Sequence, residues 1–231
     1  MKLQNLHNHS LFSDGACLPE EVISAAVSGG LEMVGISDHF YTTKVYSDQS
    51  YLQWYEEFWH RYVYSLSCLK EFYSNQIKVV AGIEIDSCLY RTVGSFDRLP
   101  WKEINEGLDY VLIEYVGEVS AGGSPPDSLA FIRKLCSLPV IIAHPDLDYL
   151  QKKFKLTDFF QIMKSNDIAL EIPSGRRNTW FWNRYDSSLL EGLKLSIGTD
   201  THSDIEEVCN IGQALEFLED NNLLDQLIQI E

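Results

Sequence analysis

Seven short runs rich in branched and apolar residues, 3–7, 32–36, 78–85, 110–115, 140–143, 169–172 and 195–198, alternate along the chain with segments of helical periodicity. Strands separated by helices in this way pair in parallel through right-handed crossovers, with the helices packed outside the sheet. The first intervening helix is marked by Pro19 in its opening turn, by Glu20 and Glu21 beside the N-terminus, and by Gly29-Gly30 at its end. A second is predicted over 51–74, where Leu52, Tyr55, Trp59, Tyr62, Leu66, Leu69 and Tyr73 recur every three or four positions. Further helices are predicted over 127–138, 158–165, 186–193 and 211–219. No internal repeat or Pro/Gly-rich linker divides the chain, so the expectation is one α/β domain over 1–231. At that length α/β barrels are commonly single units.

Charge narrows the function. Eighteen Lys and Arg against 34 Asp and Glu give −16 at neutral pH, with no basic face. That disfavours long nucleic acid and anionic membranes as partners. No stretch approaches the roughly 20 apolar residues that cross a bilayer. Residues 1–7 carry one basic residue and no apolar run of signal-peptide length, so a cytoplasmic location is expected. Cys17, Cys68, Cys88, Cys136 and Cys209 are widely spaced without a C-x-x-C pair and read as reduced thiols. No dinucleotide or P-loop fingerprint is present, so no organic cofactor is expected.

Of the six histidines, His7, His9, His39, His144 and His202 fall at or just past the end of a predicted strand, whereas His60 lies mid-helix among aromatics. Asp14, Asp38, Glu84 and Asp200 occupy the same kind of position. In a parallel barrel these ends converge on one face, where active sites are built. His7 and His9, two apart on an extended chain, point the same way and can reach one ion. A single H-x-H also describes two half-buried strand histidines, but its company at successive strand ends makes a metal centre the better reading. Imidazole and carboxylate without thiolate suit Zn, Mn or Fe. Asp38 and Asp146, each beside a histidine, read either as partners that orient an imidazole or as caps.

The stretch 170–178 ends a strand in a small-residue turn containing Ser174, followed by Arg176 and Arg177. Guanidinium forks match phosphate oxygens, so this turn is the candidate phosphate contact. Trp180 and Trp182 follow, either as a wall against a leaving group or as a loop packed on the barrel. Lys44, five residues after His39, is a further candidate for an anion.

Taken together, His7-Asn8-His9 with Asp14, Gly35-Ile36-Ser37-Asp38-His39, Gly82-Ile83-Glu84, Ala143-His144-Pro145 and Gly198-Thr199-Asp200-Thr201-His202 resemble, in order, the motifs of the PHP (polymerase and histidinol phosphatase) family of metal-dependent phosphoesterases. The resemblance covers nearly the whole chain. It implies a distorted (β/α)7, TIM-like barrel holding two to three divalent ions. By motif, it implies His7, His9, Glu84 and Asp200 at a first metal, Glu84 bridging to a second with His144, and Asp14, His39 and His202 at a third. Many members carry a histidine at the end of the fourth strand as a further ligand of the second metal. Here that stretch offers Glu114 instead, a carboxylate in an otherwise apolar strand and the natural substitute. The turn 171–176 is similar to the Glu-x-Asn-x-Ser-Gly stretch before an arginine in the family's histidinol phosphatases, although Pro173 replaces the Asn.

The implied activity is hydrolysis of a small phosphomonoester, histidinol phosphate or another metabolite, by a metal-activated hydroxide. Asp200 and Glu84 would position the ions, with His202 or a metal-bound water as candidate for protonating the leaving group. Three other readings stay open. The same chemistry serves a nucleotidase or a phosphodiesterase of short oligonucleotides. An amidohydrolase-like barrel also opens with H-x-H and ends with a strand-terminal Asp, but leaves Asp14, His39 and His202 unexplained. A catalytically silent metal-binding module would account for the absent fourth-strand histidine.

Overall fold

In the computed structural model, which describes residues 3–42, 51–88, 95–175 and 184–231, seven strands follow one another around a ring. They are β1 (Gln4–Asn5), β2 (Met33–Ile36), β3 (Lys78–Asp86), β4 (Tyr110–Glu114), β5 (Val140–Ile142), β6 (Ile168–Pro173) and β7 (Leu195–Gly198). Every adjacent pair is parallel. The first and last strands meet where the Leu6 amide donates to the Ile197 carbonyl at 2.8 Å and the His9 amide to the Thr201 carbonyl at 2.9 Å. The result is a nearly closed, distorted (β/α)7 barrel, with the parallel pairing that the alternation predicts and the barrel that the motif resemblance implies.

Around it lie α1 (Pro19–Ser28), α2 (Tyr51–Tyr73), α3 (Trp101–Gly107), α4 (Ser128–Leu135), α5 (Leu147–Lys153), α6 (Leu156–Ser165) and α7 (Gly212–Asp220). The expected helix over 186–193 is instead a single 3-10 turn, Ser187–Leu190. Asp186 caps it through the Ser188 amide, and Gly192 at φ 71° turns the chain before an α-helical repeat can form. Conversely α3 and α5, of seven residues each, are too short for a 3.6-residue period to register in sequence. His60 is exposed on α2, while Trp59, Tyr62 and Leu66 bury its inner stripe.

Strand alternation separates two cores. Val79, Ile83, Val111, Ile113, Leu170 and Ile172 pack outward under the helices. Val80, Tyr110, Leu112, Ile141 and Ala169 fill the barrel interior together with Ile228 and Ile230, which enter from the strand-start end. The Ile228 amide donates to the Leu195 carbonyl at 2.8 Å and fastens that segment there. Tyr110 crosses the interior to donate its hydroxyl to the Leu6 carbonyl at 2.6 Å. Its ring has room because residue 82 is glycine: a Cβ there would stand 2.4 Å from the Tyr110 Cζ. Followed by twos, the interior positions 80-82-84, 110-112-114 and 169-171 end in Glu84, Glu114 and Glu171, all buried. A packed lower barrel thus leaves its charged groups to the carboxyl ends of the strands. No helix among the described residues is long and apolar enough to cross a membrane, and the five cysteines form no disulfide.

Candidate metal centre

The mouth of the barrel gathers the histidines and acids singled out above. His7 and His9, just past β1, bring their Nε2 atoms to 3.1 Å from each other. His7 Nε2 lies 3.4 Å from Glu84 Oε1 and 3.4 Å from Asp200 Oδ1. His9 Nε2 lies 3.4 Å from Glu84 Oε2 and 3.3 Å from the same Asp200 oxygen. Donors each 2.0–2.1 Å from a tetrahedrally bound zinc stand about 3.4 Å apart, so this spacing fits one ion. One buried atom points the same way: His9 Nδ1 has no hydrogen-bond partner, whereas Glu84 Oε2 meets His39 Nδ1 at 3.0 Å. Buried polar atoms normally find one, and a cation is a partner the protein cannot itself supply.

Four groups have ligand atoms mutually close enough to hold an ion: His7, His9 and Glu84; His7, His144 and Asp200; His9, Asp14, His39 and His202; and His39, Glu84 and Glu114. Glu84 also touches His144, its Oε1 being 3.2 Å from Nε2, so it stands between the first two groups. Asp14, 45% exposed, closes the outer group at 3.4 Å from His202 Nε2 and 3.8 Å from His39 Nε2. Every residue expected at a metal is therefore brought to the mouth. The departure concerns Glu114, which stands 3.7 Å from His39 Nδ1 and groups with His39 rather than with His144.

The electrostatics are those of a cation trap. Burial works against ionisation of Glu84, but His7 and His39 outweigh it and hold the carboxyl well below the usual range. Asp200 is likewise pulled far down, against burial, chiefly by His7 and by a hydrogen bond with His9. Burial would lower the His7 imidazole, yet Glu171, Glu84 and Asp200 raise it well above its ordinary value. His9, buried and beside His39, is pushed down to about 3 and is neutral at physiological pH. Asp200 at φ 52° and His144 at φ 27° hold backbone conformations unusual for residues with a Cβ, as functional strand ends commonly do.

The surrounding residues divide. Asp38 accepts from the Ser10 amide and hydroxyl, each at 2.7 Å, and from the Ser13 hydroxyl at 2.6 Å, pinning the loop that carries Asp14. Asp146 caps α5 through the Tyr149 amide at 2.9 Å. Ser174, expected at a phosphate, donates its hydroxyl to the Asn210 carbonyl at 2.7 Å, where the turn after β6 packs against that main chain. Arg176, Arg177, Trp180, Trp182 and Lys44 lie outside the described residues. Sequence reasoning passed over Glu171, whose Oε2 is 2.7 Å from His7 Nδ1. The signal was its place two residues beyond Ala169 on the interior face of β6.

Solved structures with this fold include a putative histidinol phosphatase from Listeria monocytogenes, 14% identical, with a TM-score of 0.62 over 93% of this chain and 99% of that one. Another is histidinol phosphate phosphatase from Lactococcus lactis subsp. lactis, complexed with zinc, L-histidinol and phosphate. It is 18% identical, with a TM-score of 0.59 over 95% and 94%. A chain in the structure of archaeal ribonuclease P with mature tRNA also matches, at 15% identity and a TM-score of 0.55 over 96% and 82%. In sequence, an uncharacterized protein of Methanocaldococcus jannaschii is 26% identical over 201 residues, 86% of this chain and 81% of that protein. The family model of the PHP domain matches residues 5–175, almost three quarters of the chain, with the His, Asp and Glu motifs up to His144 inside it. The chain belongs to the PHP domain family.

Proposed function

We propose that this protein is a metal-dependent phosphatase acting on a small phosphomonoester, with two to three divalent ions held at the barrel mouth. The observation that carries this is that the Nε2 atoms of His7 and His9, 3.1 Å apart, each face a Glu84 oxygen at 3.4 Å and the same Asp200 oxygen at 3.3–3.4 Å. His7, His9, Glu84 and Asp200 would hold the first ion, Glu84 and His144 a second, and Asp14, His39 and His202 a third. Zn, Mn or Fe there would supply an activated water and positive charge for the phosphoryl oxygens.

The chain's own residues do the rest. Glu84, ionised under all physiological conditions, holds the inner groups together from its place between them. Asp38 fixes the loop that brings Asp14 to the outer group. His202, 33% exposed, is the most accessible imidazole of the mouth. Burial would lower its pKa, but Asp14 and Asp200 raise it. It can therefore present a proton from Nε2 to a leaving oxygen when no third ion is bound. Arg176 and Arg177, three and four residues beyond the end of β6, are the proposed phosphate contacts. Support for histidinol phosphate as the substrate is the likeness of fold to the Lactococcus lactis enzyme and the turn after β6.

The test is phosphate release from a panel of phosphomonoesters, histidinol phosphate and nucleotides among them, by Zn-, Mn- or Fe-loaded protein, beside His9→Ala. Release lost in the variant supports the proposal and ranks substrates. Silence across the panel with metal bound would replace it with a diesterase or a non-catalytic metal module.

A further inference from the structure

Glu171 occupies an interior-facing position on β6 and is buried. Its carboxylate reaches over β7 to the chain following β1, where Oε2 sits 2.7 Å from His7 Nδ1. Its other oxygen, Oε1, accepts the main-chain N–H of His144 at 3.0 Å, past the end of β5. The route over β7 exists because residue 198 is glycine: a Cβ there would stand 2.4 Å from Oε2 and 2.7 Å from the His7 Cβ. His144, at φ 27°, is the strained residue of the pair and has its amide fixed by this bond.

We propose that Glu171 is the positioning residue of the centre, fixing the ring of His7 and the main chain of His144 so that one side chain sets the geometry of two ion-holding groups. The inference rests on the metal-centre reading and on no particular substrate. A carboxylate is an acceptor only, and here both oxygens face N–H groups. Acceptance at Oε2 places the proton of a neutral His7 on Nδ1. Nε2, which faces His9, Glu84 and Asp200, then keeps its lone pair for a cation.

Glu171→Gln is nearly isosteric and cannot serve both partners. With the amide oxygen toward His7, the NH2 group opposes the His144 N–H. With the amide reversed, NH2 donates to Nδ1 and drives the His7 proton to Nε2, the atom that should bind metal.

The experiment measures zinc affinity by chelator competition for wild type and Glu171→Gln, with nitrogen-15 histidine NMR of the zinc-loaded wild type to read the tautomer of His7. The expected results are an Nδ1–H tautomer and zinc binding about 10–100-fold weaker in the variant. Its near-ultraviolet dichroism in chelator should match that of the wild type. A folded variant with wild-type affinity overturns the proposal, as does an Nε2–H tautomer in the wild type. The tautomer decides alone should the variant fail to fold. A wild type that binds none of zinc, manganese and iron removes the metal reading and this proposal with it, a result distinct from tight wild-type binding and an indifferent variant.

Discussion

Around the arc from β7 through β1 to β2, His7, His9, Asp14, His39, Asp200 and His202 crowd so closely that the His9 ring centroid is 4.1 Å from that of His202 and 4.4 Å from that of His39. Around the arc from β4 to β6, His144 is accompanied by two buried carboxylates, Glu114 and Glu171. On the crowded arc burial and the neighbouring His39 lower the pKa of His9, which stays a neutral nitrogen donor, while the carboxylates around His7 raise that of His7. The opposite arc answers burial with negative oxygens that meet nitrogens from across the barrel: Glu114 faces His39 Nδ1, and Glu171 faces His7 Nδ1 and the His144 amide. The two arcs meet at Glu84, which touches both His9 and His144.

The most damaging change is expected at Asp200, whose Oδ1 is shared by His7 and His9. Asp200→Asn removes the negative charge that serves both and should reduce phosphate release to background. Near-normal turnover would mean that the crowded arc is not the reactive one. Next in size, ion counts by elemental analysis should separate the arcs. His9→Ala, which touches the inner and the outer group, should cost more than one ion, while His144→Ala should cost a single ion and spare the crowded arc. Equal losses would erase the distinction.

The same divide explains what could be read beforehand. The crowded arc is legible because its donors come as local pairs, His7-x-His9 and Asp200-x-His202, where two-residue spacing alone brings them together. The strands β2 to β7 were legible because their branched runs are buried on both faces, whereas β1, Gln4–Asn5 in the fold, holds no branched residue and was marked only by Leu3 and Leu6 beside it. The opposite arc depends on neighbours far apart in the chain. Glu171 acquires its role only when β6, β7, β1 and β5 lie side by side. Glu114, which reads as a stand-in beside His144, is found at His39 because the register pairs it with Asp86 on β3, two positions past Glu84. Helices of two turns such as α3 and α5 hold too few periods to be seen.

Acidity should shift the balance between arcs in the metal-free protein. His7, His144 and His202 have folded pKa values raised above the ordinary 6.5. The stability they lend is complete below that pH and is lost as pH rises through their folded values. His9, at about 3 when folded, acts oppositely and withdraws stability as pH falls from 6.5. Each proton of difference is worth about 1.4 kcal/mol per pH unit. Chelator-treated protein should thus be most stable near pH 6.5. Zinc-loaded protein should keep gaining on it as pH rises, because fewer protons compete for His7 and His144. Thermal unfolding across pH 5 to 9 checks this, and parallel curves for the two forms would place the ions elsewhere.

The smallest expected effect bears on whether the arcs are mechanically separate. Tyr110 stands on β4 and donates its hydroxyl across the interior to the Leu6 carbonyl, beside His7, so it ties the β4–β6 arc to the crowded one beneath the candidate metal centre. Tyr110→Phe keeps the ring that fills the space over Gly82 and removes the hydroxyl with its bonds to the Leu6 carbonyl and Ser37, at a cost of about 1 kcal/mol in unfolding by denaturant. If the ions and their donors alone hold the mouth together, ion content and turnover will be unchanged at this cost. If either falls well beyond what so small a destabilisation allows, the two arcs share their geometry through the barrel interior as well as through Glu84.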